Sequence, residues 1–268
     1  MDDEQTVILL LSAIMFVGAM AFGYVPLSLR FSHERLEQFM AIGAGVLIGS
    51  AFLIIIPEGL EITLGKHEGS LEPLLLGGAI LAGFTLMLLL EFFGLPHAVH
   101  HEADRELLSL SATIGLVFHS AVDGLALGAS VTSSTETGLI VFAAIMLHKG
   151  PTAFGLSSFL AHIETEKARS QLYLLLFALT SPIAAIFAFY TLRDSALASD
   201  VNVGLALLFS AGTFLYVATV DVLPEVHSHE HDGESPTSFI MLGMLLVLLV
   251  ALPLPPLPLR PPSSAALL

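Results

Sequence analysis

The sequence predicts an all-α, polytopic membrane helix bundle of eight transmembrane spans. Composition is the first reason: of 268 residues, 55% are hydrophobic and 12% are charged, against about a quarter charged in a soluble domain. Mean hydropathy is +0.86. The second reason is length, because the apolar stretches run to about 20 residues, enough for a helix to cross the hydrocarbon core. The third is that the connections are short, which favours antiparallel neighbours in a compact bundle.

The spans are expected at 6–29, 37–58, 73–94, 109–131, 138–161, 171–192, 203–224 and 237–253, where apolar runs are bounded by polar or Pro-containing segments. Residues 1–253 then form one domain, and the Pro-rich stretch 254–268 is expected to be a disordered tail, since its prolines cannot continue a helix. The acidic start MDDEQT lacks the basic region of a signal peptide and is expected to stay as part of the first helix.

The odd-numbered connections hold five Lys or Arg (Arg30, Arg35, Arg105, Lys167, Arg169). The even ones and the tail hold three (Lys66, Arg193, Arg260). The positive-inside rule therefore puts the odd connections in the cytoplasm. The formal net charge of −15 excludes nucleic acid, which is bound through Lys and Arg at phosphates, and suits loops that attract cations. With no cysteine there are neither disulfides nor thiolate ligands.

Residues 43–58, GAGVLIGSAFLIIIPE, align without gaps with residues 210–225, SAGTFLYVATVDVLPE. The two segments belong to spans that run in opposite directions. This predicts an inverted repeat, a common feature of transporters.

Chemistry concentrates in the fourth and fifth spans. FHSAVDGLAL places His119, Ser120 and Asp123 in an apolar helix, with His119 and Asp123 one turn apart on one face. LHKGPTAFG carries His148, Lys149 and Pro151. Ionisable groups at bilayer depth are expensive and mark ion sites or paths. Imidazole nitrogen with carboxylate oxygen suits zinc and other first-row divalent ions, so His119, Asp123 and His148 are read as metal ligands. Ser120 is a weaker candidate. Lys149 is read as a counter-charge to Asp123 that repels a second divalent ion. Pro151 removes a helical hydrogen bond to Leu147 and is expected to bend the helix and admit water beside His148. Glu58 and Glu225, after prolines at span ends, are candidate entrance and exit carboxylates, with Asp221 one turn before Glu225. His97, His100, His101, His227, His229 and His231 form a loop tract able to collect metal.

At these residues the chain resembles the ZIP family of divalent metal transporters. HSAVDG is similar to that family's fourth-span His-Ser/Asn-x-x-Asp/Glu-Gly motif, LHKGP to its fifth-span motif, and SAGTFLYVATVDVLPE to its seventh span. The details resemble a small ZIP9-like branch of the secretory pathway and plasma membrane. The resemblance implies three spans, two central spans and three inverted ones, with His119, Asp123 and His148 as transport-site ligands. It also implies that a second metal site is lost, because Lys149, Thr152 and Ser181 stand where that family carries metal-binding side chains.

The expected function is transport of Zn²⁺ toward the cytoplasm by alternating access at a single site, with other divalent metals also acceptable as cargo. An intramembrane zinc-dependent hydrolase and a non-transporting receptor are the rival readings. Partners are divalent ions and the lipid bilayer, with a homodimer admitted. The location is Golgi or other endomembranes, or the plasma membrane.

Overall fold

The computed structural model describes residues 3–28, 32–64, 73–94, 101–133, 135–192, 199–228 and 235–252. All secondary structure among them is helical. α1 is Asp3–Ser28, and α2 (His33–Ser50) continues through a π-helical turn, Ala51–Ile55, into α3 (Ile56–Leu64). Then come α4 (Pro73–Gly94), α5 (His101–Ser133), α6 (Thr135–His162) and α7 (Lys167–Thr191). α8 (Asp200–Tyr216) passes through a second π turn, Val217–Val222, into α9 (Leu223–Ser228), and α10 is Pro236–Ala251.

Seven of the resulting segments are long and apolar enough to cross a membrane, and α10 supplies a shorter eighth. Its 16 residues extend about 24 Å at 1.5 Å per residue. Local chemistry explains several helix starts. Ser199 and Ser235 accept backbone hydrogen bonds from Asn202 and Thr237 as N-caps, and Pro236 occupies the first turn of α10, where its missing N–H costs nothing. Large side chains such as Leu74, Leu81, Phe92, Ile183, Met241 and Leu249 point outward, as lipid-facing positions require.

Three sequence expectations change. The second span does not end at Glu58 but runs on to Leu64. The backbone is helical from His101, so part of the third connection belongs to α5, and the fourth connection shrinks because Ser133 closes α5 and Thr135 opens α6. His97, His100, His229, His231 and the 254–268 tail lie outside the described residues.

The described helices form two groups of neighbours joined by interfaces as extensive as several of those within each group. α1, α5, α6 and α7 pack on one another, while α2 and α3 pack with α8 and α10, and α8 with α4. The groups meet where α2 crosses α6 and α5 crosses α8.

The inverted repeat is visible in the backbone. In the first π turn the Ile56 N–H bonds the Ala51 carbonyl, and in the second the Leu223 N–H bonds the Ala218 carbonyl. Residues 51 and 218, and 56 and 223, are both 167 apart, the spacing of the aligned segments. Each turn is followed by a proline, Pro57 or Pro224. A proline cannot donate to the carbonyl four residues back, and π turns arise where the regular ladder is interrupted.

A second correspondence lies where helices touch. Gly45 of α2 abuts the Ile240 carbonyl and Gly243 of α10, while Gly212 of α8 abuts the Ile80 carbonyl of α4. Gly45 and Gly212 are again 167 apart, and Ile80 and Ile240, like Gly83 and Gly243, are 160 apart. These glycines let two backbones approach where a Cβ would collide.

Candidate metal centre

The centre is built by α5 and α6 and walled by α7 and α8. Helical periodicity puts His119 and Asp123 one turn apart on α5, and α6 brings His148 beside them. His119, Asp123 and His148 each offer one ligand atom, and these atoms lie within 4.8 Å of one another. Asp123 Oδ2 is 3.4 Å from His119 Nε2 and 3.5 Å from His148 Nε2. His119 Nε2, His148 Nε2 and Asp123 Oδ1 make no hydrogen bond among the described residues, though all three are buried. Buried polar atoms without partners are costly. Here the two Nε2 atoms both face the Asp123 carboxylate, and a divalent ion held by Zn–N and Zn–O bonds of about 2.0–2.2 Å would give them a partner.

The opposite imidazole edges are tied down. His148 Nδ1 lies 2.9 Å from the Ala144 carbonyl. A carbonyl only accepts, so the proton of neutral His148 belongs on Nδ1 and Nε2 carries the lone pair. His119 Nδ1 lies 2.5 Å from Ser210 Oγ on α8, and its ring packs against Phe214 at 4.4 Å. Such outer partners orient metal-binding histidines.

Lys149 is fully buried, and all three of its protons are used. Nζ donates to Ser181 Oγ at 2.5 Å, Ser120 Oγ at 2.7 Å and Asp123 Oδ2 at 3.3 Å, and it lies 4.3 Å from the centre of the Phe177 ring. Ser120 donates to the Phe177 carbonyl, and Ser181 donates to the Ser120 carbonyl. The Ser120 hydroxyl is thus engaged by Lys149 and the Phe177 carbonyl. Thr152 donates to the His148 carbonyl at 2.5 Å. α6 remains helical across Pro151, which is partly exposed, while Lys149 and Thr152 are completely buried.

Glu58 and Glu225 are not among the clustered ligands His119, Asp123 and His148. Glu58 is buried rather than a solvated helix end, and its Oε1 has no hydrogen-bond partner among the described residues. Glu225 Oε1 is 4.0 Å from His162 Nε2 at the end of α6, and Asp221 accepts from Ser111 at 3.4 Å. His227 is exposed, with Nδ1 2.9 Å from the Leu223 carbonyl.

Ser210 and His162 are absent from the sequence expectations. A serine in an apolar span is inexpensive and gives no signal. His162 sits at a helix end, where histidine is ordinary.

Fold and centre together define a multi-pass membrane protein with a buried constellation suited to a divalent ion. Residues 95–251 match the family described as ZIP zinc transporter. The chain is 43% identical to zinc transporter ZIP9 of Micropogonias undulatus, covering 87% of this chain and 90% of that protein. It is 41% identical to zinc transporter ZIP9-B of Xenopus laevis, covering 86% and 89%. More distantly, it is 28% identical to zinc transporter ZIP13 of Pongo abelii, covering 81% and 66%. The chain belongs to the ZIP zinc transporter family, in its ZIP9-like branch. Its function is zinc transport, and the hydrolase and receptor readings are not favoured.

Proposed function

We propose that one Zn²⁺ at a time passes through a single site formed by His119, Asp123 and His148, moving toward the cytoplasm by alternating access. The observation that carries this reading is the convergence of one buried ligand atom from each of three residues within 4.8 Å, with both imidazole Nε2 atoms lacking a hydrogen-bond partner among the described residues. Lys149 holds the adjoining volume with a fixed positive charge, which opposes a second divalent ion there, and Thr152 and Ser181 offer hydroxyls engaged elsewhere. All three ligands belong to the group α1, α5, α6 and α7. Displacement of this group against the other would carry the ion between two mouths.

With the odd connections cytoplasmic, Glu58 lies toward the outer side as an entrance carboxylate and Glu225 toward the inner side as an exit carboxylate. Imidazole and carboxylate also accept iron, manganese and other divalent ions, so selectivity is set by the competition measured alongside zinc. Following the branch resemblance, we place the activity in the Golgi, other endomembranes or the plasma membrane.

Radioactive zinc uptake into proteoliposomes tests the proposal. Wild type should exceed empty liposomes, and His119→Ala, Asp123→Ala and His148→Ala should each fall to background. Equal uptake by wild type and His119→Ala would sink the site assignment, and no wild-type uptake would sink the mechanism.

A further inference from the structure

The hydroxyls of Thr63, Thr113, Ser130, Thr152 and Thr219 are spent on the carbonyl four residues back in their own helices. This is the ordinary fate of a helical Ser or Thr. Ser210 differs. It is completely buried, and its Oγ reaches across the boundary between the helix groups to His119 Nδ1, 2.5 Å away.

The two histidines of the centre are therefore held differently. His148 is fixed by a carbonyl of its own helix, which travels with it. His119 is fixed by a hydroxyl from the opposite group, and a hydroxyl can donate or accept. A metal at Nε2 requires the neutral ring to keep its proton on Nδ1, and that proton needs an acceptor in a dry interior. Ser210 is the acceptor the structure supplies.

We propose that Ser210 is a positioning residue for metal capture: its hydroxyl accepts the His119 Nδ1 proton and leaves Nε2 bare toward Asp123 and His148. Because Ser210 sits on α8 and His119 on α5, sliding the helix groups apart breaks this hydrogen bond while leaving the three ligands together on their own group. Affinity for the ion is then highest when the groups are in register and falls as they separate. The inference rests on the three-ligand reading of the centre.

The test is a competition titration of zinc against a fluorescent chelator, using the purified full-length chain with Ser210→Ala, Ser210→Thr and His119→Ala variants. Nitrogen NMR of labelled histidine accompanies it, reporting which His119 nitrogen carries the proton in the zinc-loaded protein. Ser210→Ala should weaken zinc binding about 10–100-fold, the usual effect of losing such a partner, and Ser210→Thr should recover most of the loss. The zinc-loaded wild type should show His119 with its proton on Nδ1.

Unchanged affinity in Ser210→Ala overturns the proposal, as does equal weakening in Ala and Thr, because the hydroxyl would then not be the cause. Unchanged affinity in His119→Ala instead overturns the three-ligand reading. Loss in His119→Ala without loss in Ser210→Ala overturns only the role of Ser210.

Discussion

Lys149 Nζ and Asp123 Oδ2 stand 3.3 Å apart with both side chains fully shielded, so an ammonium and a carboxylate form an ion pair beside the two imidazoles. Removing one partner of a buried pair leaves an uncompensated charge and costs about 3–5 kcal/mol. Lys149→Ala should therefore lower the melting temperature of the metal-free protein, and added zinc should recover part of the loss by supplying positive charge to Asp123. Thermal unfolding with and without zinc checks this; equal melting of wild type and variant would contradict it.

The same lysine predicts stoichiometry. With the loop histidines replaced, the purified protein should hold one zinc ion. Lys149→Glu combined with Thr152→His and Ser181→Glu exchanges a cation and two hydroxyls for three ligand side chains, and should raise the count to two. Elemental analysis of dialysed protein decides. Two ions in the parent, both lost with Asp123→Ala, would refute the single-site reading.

Helix contacts give an independent prediction. A Cβ at Gly243 would meet the Ile42 carbonyl and come within 2.9 Å of Val46 N, whereas Gly77 and Gly78 have nothing within 4 Å. Gly243→Ala should destabilise by about 1–3 kcal/mol through overpacking. Gly77→Ala and Gly78→Ala should be neutral or stabilising by up to about 1 kcal/mol, because alanine is the better helix former. Melting temperatures in one detergent rank the three.

Glu58 is buried, with Oε1 lacking a hydrogen-bond partner among the described residues, and is not one of the three clustered ligands. If it serves as the entrance, Glu58→Gln should slow zinc uptake at low external zinc while leaving equilibrium affinity at the central site unchanged. Parallel uptake and binding curves separate the two effects, and a matching loss in both would place Glu58 in the site itself.

Much of this architecture is legible in the residues because the bilayer imposes harsh rules. Apolar runs of span length can only be helices, and His119, Asp123 and His148 stand out because ionisable groups are rare at that depth. The repeat of residues 43–58 and 210–225 was visible as text. Its deeper expression was not: the π turns at Ala51–Ile55 and Val217–Val222 depend on how backbone carbonyls are shared ahead of Pro57 and Pro224. The Ile80–Gly83 and Ile240–Gly243 correspondence is too short to notice until the helices touch. Glu58 misled because a Pro-Glu pair reads as a span end, whereas the helix continues to Leu64. Ser210 left no trace because its value lies wholly in its neighbour on another helix.

The Lys149–Asp123 pair also has an electrical consequence. With neutral histidines the metal-free centre carries no net charge, so loading one Zn²⁺ makes the centre doubly positive. Each elementary charge crossing the full membrane field is worth about 2.3 kcal/mol per 100 mV. On the single-site alternating-access proposal, a cytoplasm-negative voltage would pull the loaded carrier inward and exert no net force on the empty one as it returns. Zinc uptake by this protein should steepen with potassium-diffusion potentials imposed across the vesicle, and the return step should ignore them.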